Sequence, residues 1–317
     1  MKIVKRFTLS YGFYLVFAAV FLAYSFASDH FLTVTNAIGV LLDSNALFIV
    51  CVGLTFVVLT GSLDLSIGSV AFLTAALSAL LMQRGVPVPL ALLAGVTAGA
   101  TAGAVNGFLV ARFRLNPMLT TLGMMIGLRG LALAITNGSQ IYVPDELKAV
   151  GRWSVGPIPL IVLFGIALLM AAQLALSRTD FGRTVIAVGC DAKAARKIGL
   201  PVDRITFTVF FISGITAGIA GIVSMINIGA VQPYLGKGME FIAVAAVVLG
   251  GTSLFGGSGS FLPGAFMGVL MLMVIENGLN LMGASPYVYP FIRGLIIFAA
   301  MYADALKIKV QRTLTPI

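Results

Sequence analysis

Five ionisable residues, Asp64, Arg129, Glu240, Glu276 and Arg293, lie inside otherwise apolar sequence. A charge at the centre of a bilayer costs roughly 3 kcal/mol on insertion scales, so each is a candidate for function. Asp64, with Ser62 and Ser66, falls where an apolar run breaks. A half-helix start there can bind a substrate hydroxyl, or the carboxylate can simply cap the next helix. Arg129 and Arg293 sit in two Arg-Gly-Leu triplets and can pair with a carboxylate such as Glu240 or Glu276, as a gate or as structural ion pairs. Neutral donors and acceptors inside apolar sequence can also contact a polar solute. Asn106, Thr120, Thr121, Asn137, Gln232, Asn277 and Asn280 therefore join Asp64 and Ser66 as pathway candidates.

Other chemistries find little here. The one histidine, His30, and two cysteines, Cys51 and Cys190, stand far apart in sequence, so no metal pattern and no acid–base or nucleophilic cluster is expected. The Gly-rich run 256–260 lacks the lysine of a G-x-x-x-x-G-K-[ST] loop, so no nucleotide site and no cofactor is expected on this chain. The net charge of +9 forms no basic stripe interleaved with aromatics, which argues against nucleic acid.

The elements that position these residues are membrane spans. Of the 317 residues 59% are hydrophobic and 10% charged, and the mean hydropathy is +1.07. Soluble domains carry about 25% charged residues. The chain is expected to be one all-α polytopic domain, 1–317, embedded in a lipid bilayer. Spans of about 20 apolar residues are expected near 10–27, 46–60, 67–83, 87–111, 118–136, 158–177, 205–228, 239–251, 261–280 and 286–305. A short re-entrant or interfacial helix is expected at 33–45. Ser25-Phe26-Ala27 looks like a signal cleavage site, but an uncleaved first span fits a ten-span chain. Of the twenty basic residues, fourteen fall on one side when the N-terminus is cytoplasmic, which puts both termini and the 178–204 loop in the cytoplasm.

Two patterns concern packing. Gly95, Gly99, Gly103 and Gly107 recur every four residues, a smooth face for an internal neighbour or a dimer seam. "VVLTGSLDLSIGS" (57–69) echoes "VVLGGTSLFGGSGS" (247–260), Asn106-Gly107 echoes Asn277-Gly278, and the Arg-Gly-Leu triplets echo each other. The long match implies parallel copies and the short echoes inverted ones.

The 178–204 loop is far longer than a connection between spans requires. Asp191 is an N-cap, Ala192 to Ile198 favour helix, Gly199 suits the left-handed position beyond its end, and Pro201 stops it. Arg196 and Lys197 suit the negative end of the helix dipole. So short a helix must dock on something. Ala192, Ala195 and Ile198 give it a shallow apolar face for a cytoplasmic partner; the plainer alternative is a solvated positive-inside loop.

The stretch "RTDFGRTVIAVGCDAKAARKIGLPVDRITF" resembles the coupling region of permease subunits in ATP-binding-cassette importers of the ribose/xylose/arabinose/galactose class. "NPMLTTLGMMIGLRGLAL", "TNGS" (136–139) and "AVVLGGTSLFGGSGSFLPGAFMG" also resemble that family, in its order. The family's Gly-Gly-Asn reads Gly189-Cys190-Asp191 here, its Glu-Leu-Asp-Ala-Ile reads Glu240-Phe241-Ile242-Ala243-Val244, its Asn-Asn-Gly reads Glu276-Asn277-Gly278, and Ser62 stands where Gly is usual. The first change keeps an N-cap. The resemblance implies a fold like the vitamin-B12-type importer permease and a second permease, identical or paralogous. It also implies cytoplasmic ABC ATPase subunits on 190–199, a periplasmic sugar-binding protein, and residence in a bacterial inner membrane. A single-chain carrier driven by an ion gradient is the alternative, with Asp64 as its ion site; an intramembrane enzyme has no supporting residues.

Overall fold

Apolar runs become helices because lipid offers their amides no partner, so each backbone must satisfy itself. The computed structural model describes residues 2–285, 287–292, 294–295 and 298, and the chain is an all-helical membrane body. Arg293 and most of the expected span 286–305 lie outside the described residues.

The helices are α1 (Lys2–Ala27), α2 (Val34–Leu59), α3 (Ile67–Gln83), α4 (Val88–Phe113), α5 (Pro117–Thr136), α6 (Asp145–Gly151), α7 (Leu160–Arg178), α8 (Asp180–Cys190), α9 (Ala192–Lys197), α10 (Val202–Ile228), α11 (Met239–Leu249) and α12 (Phe266–Leu281). Among the described residues six stretches are long and apolar enough to cross a membrane: α2, α4, α5, α7, α10, and residues 261–281 including α12. Phe13–Ala27, α3 and α11 are apolar but shorter. With 11 residues, α11 is about 16 Å long, half of a ~30 Å hydrocarbon core.

Residues 33–45 correct the sequence expectation: they are the first half of one helix, α2, which Thr33 caps by accepting a hydrogen bond from Asn36 N at 3.2 Å. Polar residues of this stretch find partners from within one continuous helix. Asn36 and Asn277 exchange two amide hydrogen bonds, at 3.0 and 2.8 Å. Ser44 donates to the Val40 carbonyl, and Asn45 donates to the Ile161 carbonyl of α7 at 2.7 Å.

The core surrounds α2, which packs against α7, α10, α11 and α12. In its most apolar window 78% of residues are buried, against 11% for α5, so α2 is central and α5 lies at the surface. The stripe on α4 packs internally: Gly99, Gly103 and Gly107 lie against Gly214, Phe210 and Phe207 of α10. Two short strand pairs, β1 (Ile141–Tyr142) with β4 (Ala230–Val231) and the hairpin β2 (Ser154–Val155) with β3 (Ile158–Pro159), follow the helix ends remote from α9.

Two breaks organise the interior. Residues 60–66 separate α2 from α3, and 250–260 separate α11 from a wide turn at Phe261–Ala265 that leads into α12. The Gly257 amide donates to the Leu59 carbonyl at 2.9 Å, so the two breaks meet. α12 runs antiparallel to α2, through Asn36–Asn277, and to α11, through Gly268 on the Ala246 carbonyl. Hence α2 and α11 run the same way and the long sequence match relates parallel segments. Asn106-Gly107 and Asn277-Gly278 lie on α4 and α12, which run in opposite directions.

Candidate functional site

The segment 179–201 folds as two capped helices joined at an angle. Thr179 accepts from Gly182 N at 3.2 Å and caps α8; Asp191 accepts from Lys193 N at 2.8 Å and Ala194 N at 3.0 Å and caps α9. These amide bonds hold the Asp191 carboxyl below the usual carboxylate range. At the other end Gly199 N donates to Arg196 O and Leu200 N to Ala195 O, a closure that needs the left-handed Gly199 at φ +86°. Arg196 forks onto Asp203 of α10 at 2.6 and 3.1 Å. α9 is thus tied at both ends.

One sequence expectation divides. Ala195 is buried and faces the membrane body, while Ala192 is exposed and Ile198 is 76% exposed. The three do not form a single free face; Ile198 stands among Lys193, Arg196 and Lys197 as the outward apolar contact. Helix α8 was not foreseen. Its signal was a capping threonine before Asp180 and buried apolar residues at 185 and 188, three apart.

Asp64, Ser66 and Asn106 are brought together in the break between α2 and α3. One Asp64 carboxylate oxygen accepts from Ser66 N at 2.9 Å and Ser66 Oγ at 2.6 Å, and the other accepts from Ser213 Oγ of α10 at 2.8 Å. Asn106 Nδ2 donates to Ser66 Oγ at 2.9 Å. All four residues are buried. Thr121 of α5 accepts from Leu65 N at 3.1 Å and so anchors the same break. Sequence reasoning missed Ser213, one serine in a long apolar run with no local signal.

The other candidates are dispersed. Glu240 is buried in the first turn of α11, with Oε2 packed on Gly68 and lacking a hydrogen-bond partner. Arg129 donates to the Leu235 carbonyl at 3.4 Å and lies 5.6 Å from the centre of the Phe72 ring. It feels the Glu240 charge without forming an ion pair; the described ion pairs are Lys148–Asp145, Arg183–Asp180 and Arg196–Asp203. Glu276 lies in the field of Asp43. Asn277 is engaged with Asn36, and Asn280 is exposed. Asn137 is exposed and closes α5 in a left-handed conformation. Thr120 lines a surface groove of about 470 Å³ between the ends of α4 and α5, with Leu109, Gly123, Met124 and Gly127.

Apolar crossing helices, interior breaks and one capped cationic segment outside the body are the build of a membrane permease. The chain belongs to the family described as branched-chain amino acid transport system / permease component, which matches residues 36–301. It is 36% identical over 304 residues to the L-arabinose transport system permease protein AraH of Escherichia coli (strain K12), covering 96% of this chain and 92% of that one. It is 37% identical over 284 residues to the ribose import permease protein RbsC of the same strain, covering 87% and 88%. The D-allose transport system permease protein AlsC of that strain is 33% identical over 299 residues, covering 93% and 91%. These relatives bear out the resemblance to permeases of sugar importers. No solved structure matches the chain.

Proposed function

We propose that this chain is the translocation subunit of an ATP-driven ABC importer, carrying a monosaccharide or related polyol across a bacterial inner membrane. The observation that carries the reading is the α8–α9 segment: a doubly capped, cationic, two-helix unit outside the apolar body, presenting Ile198 outward. An ion-driven carrier has no use for such a handle. In this reading both termini and α9 are cytoplasmic, ATPase subunits hold Asp191 to Gly199 and hydrolyse ATP-Mg, and a periplasmic sugar-binding protein delivers the solute. In the same reading the chain crosses the membrane ten times, in a fold like that of the vitamin-B12-type importer permease; the six long apolar stretches among the described residues support a multi-pass body.

A second permease, identical or paralogous, faces α5. Support comes from its open face, where a methyl group added at Gly123, Gly127 or Gly130 would meet no other part of the protein within 4 Å and Thr120 offers a hydroxyl. The substrate path then runs along α5 between the two permeases. The buried network of Asp64, Ser66, Ser213 and Asn106 acts instead as a fastener inside each one.

The test is a gentle-detergent pull-down from native membranes, wild type against Ile198→Asp, with uptake of labelled L-arabinose, D-ribose and D-allose. Ile198 is exposed, so the substitution leaves the fold intact. The expected result is a stoichiometric ATPase subunit with wild type, lost from the variant together with uptake. Wild type that transports with no ATPase attached, while its own oligomer persists, would overturn the reading in favour of ion-driven transport.

A further inference from the structure

The C-terminal end of α8 reaches the place where the two interior breaks meet. Gly189 lies on the Leu59 carbonyl and the Gly257 amide so closely that a methyl group there would overlap the carbonyl. Gly256 lies against Gly189 and the Gly61 amide, and Cys190 Sγ is 3.8 Å from the Gly257 carbonyl. Three backbones, from α2, from α8 and from the turn between α11 and α12, therefore touch at one point with no side chain between them. The residue after Cys190 is Asp191, the cap of α9. Nothing flexible separates the docking helix from this joint.

Close-packed groups transmit displacement rather than absorb it. On the other side of α9, Arg196 is bound to Asp203 of α10, and α10 holds the first break again through Ser213 and Asp64. The first break is thus gripped from both sides of the docking helix. The second is gripped at Gly257.

We propose that the Leu59–Gly189–Gly257 joint is the relay by which movement of α9 reaches both broken helices, with Gly189 as its positioning residue. The inference rests on the reading of α9 as the ATPase-docking element. As a relay the joint moves as one piece, displacing the ends of α2 and α11 together. Only glycine at 189 permits the contact, because any side chain lifts α8 away from the breaks.

The test inserts a wedge after folding. Cys190 is exposed and Cys51 is fully buried, so a bulky methanethiosulfonate reagent modifies Cys190 in the assembled complex and reductant removes it. Hydrogen–deuterium exchange is followed at 190–199, 60–66 and 250–260, with and without vanadate-trapped nucleotide on the ATPase. In the unmodified complex, trapping is expected to change exchange in all three segments. After modification the change should persist at 190–199 with the ATPase still bound, vanish from both breaks, and return with reductant. Cys190→Ala should be indifferent to the reagent. Gly189→Ala should give the modified pattern permanently, with ATP hydrolysis uncoupled from uptake.

Breaks that still respond to trapping in the modified complex overturn the relay, as does release of the ATPase on modification, which would make Cys190 part of the docking surface. If trapping alters nothing at 190–199 in the unmodified complex, the docking reading itself has failed, a result distinct from a failed relay.

Discussion

At the scale of single residues, Asp64 and Asp191 do related work in opposite surroundings. Each carboxylate collects donors that a chain break leaves without partners, Asp64 in the interior and Asp191 in water. Replacing Asp64 by Ala strands the Ser66 amide and the Ser66 and Ser213 hydroxyls, each buried donor costing about 1–3 kcal/mol. Asp64→Ala should therefore lose roughly 3 kcal/mol or more of stability, read as a lower detergent melting temperature. Asp64→Asn keeps an acceptor for Ser66 and should transport nearly as wild type. Abolished uptake in a well-folded Asp64→Asn would instead make this carboxylate part of the path. For Asp191 the sign follows from its lowered pKa. Its stabilising effect is present above the ordinary carboxylate value and is lost as pH falls through the lowered one. ATPase attachment should be flat through mild acid and weaken only below about pH 4. Asp191→Asn should remove that acid limb in a pull-down against pH.

At the scale of elements, two glycine-bearing helices make contrasting predictions. A side chain at Gly103 of α4 would run into the Phe210 carbonyl and Gly214 of α10, whereas Gly127 of α5 faces open space. Gly103→Leu should therefore destabilise the subunit by about 1–3 kcal/mol or more through overpacking. Gly127→Leu should leave melting unchanged while uptake falls, because the added bulk fills the groove beside Thr120. Equal melting for both variants would refute this division. The sequence made α9 legible to the residue, since caps are local chemistry: Asp191, Gly199 and Pro201 read directly as helix ends. It misled at 33–45, where a separate short helix was expected: Asn36, Ser44 and Asn45 interrupt the apolar run yet are bonded to distant helices or to the preceding turn. Partners such as Ser213 for Asp64 are 149 residues away and leave no local trace.

For the whole molecule, six long crossing stretches were legible and their placement was not. Mean hydropathy is 2.4 for α7 and 2.1 for α2, yet α7 is mostly at the surface and α2 is mostly buried. Lipid is as apolar as a protein core, so composition does not sort central helices from outer ones. Orientation is testable with the native cysteines. A membrane-impermeant maleimide should label Cys190 in inside-out vesicles and leave it untouched in right-side-out ones, while Cys51 stays unlabelled in both until denaturation. Labelling from outside the cell would invert the assigned topology.

The central position of α2 also bears on how the protein is made. Chains are completed from the N-terminus, so α2 enters the membrane well before α7, α10, α11 and α12, the four helices that bury it. Until α7 follows, Asn45 has no Ile161 carbonyl to meet, and until α12 follows, Asn36 has no Asn277. The newborn chain thus holds its future centre in lipid with the Asn45 amide unpaired and Asn36 bonded only to its own Phe31 carbonyl, where a membrane chaperone or a quality-control protease can recognise it. Polypeptides ending before Phe266 should be cleared within the lifetime of an unassembled intermediate, while those that include α12 can close around α2 and survive.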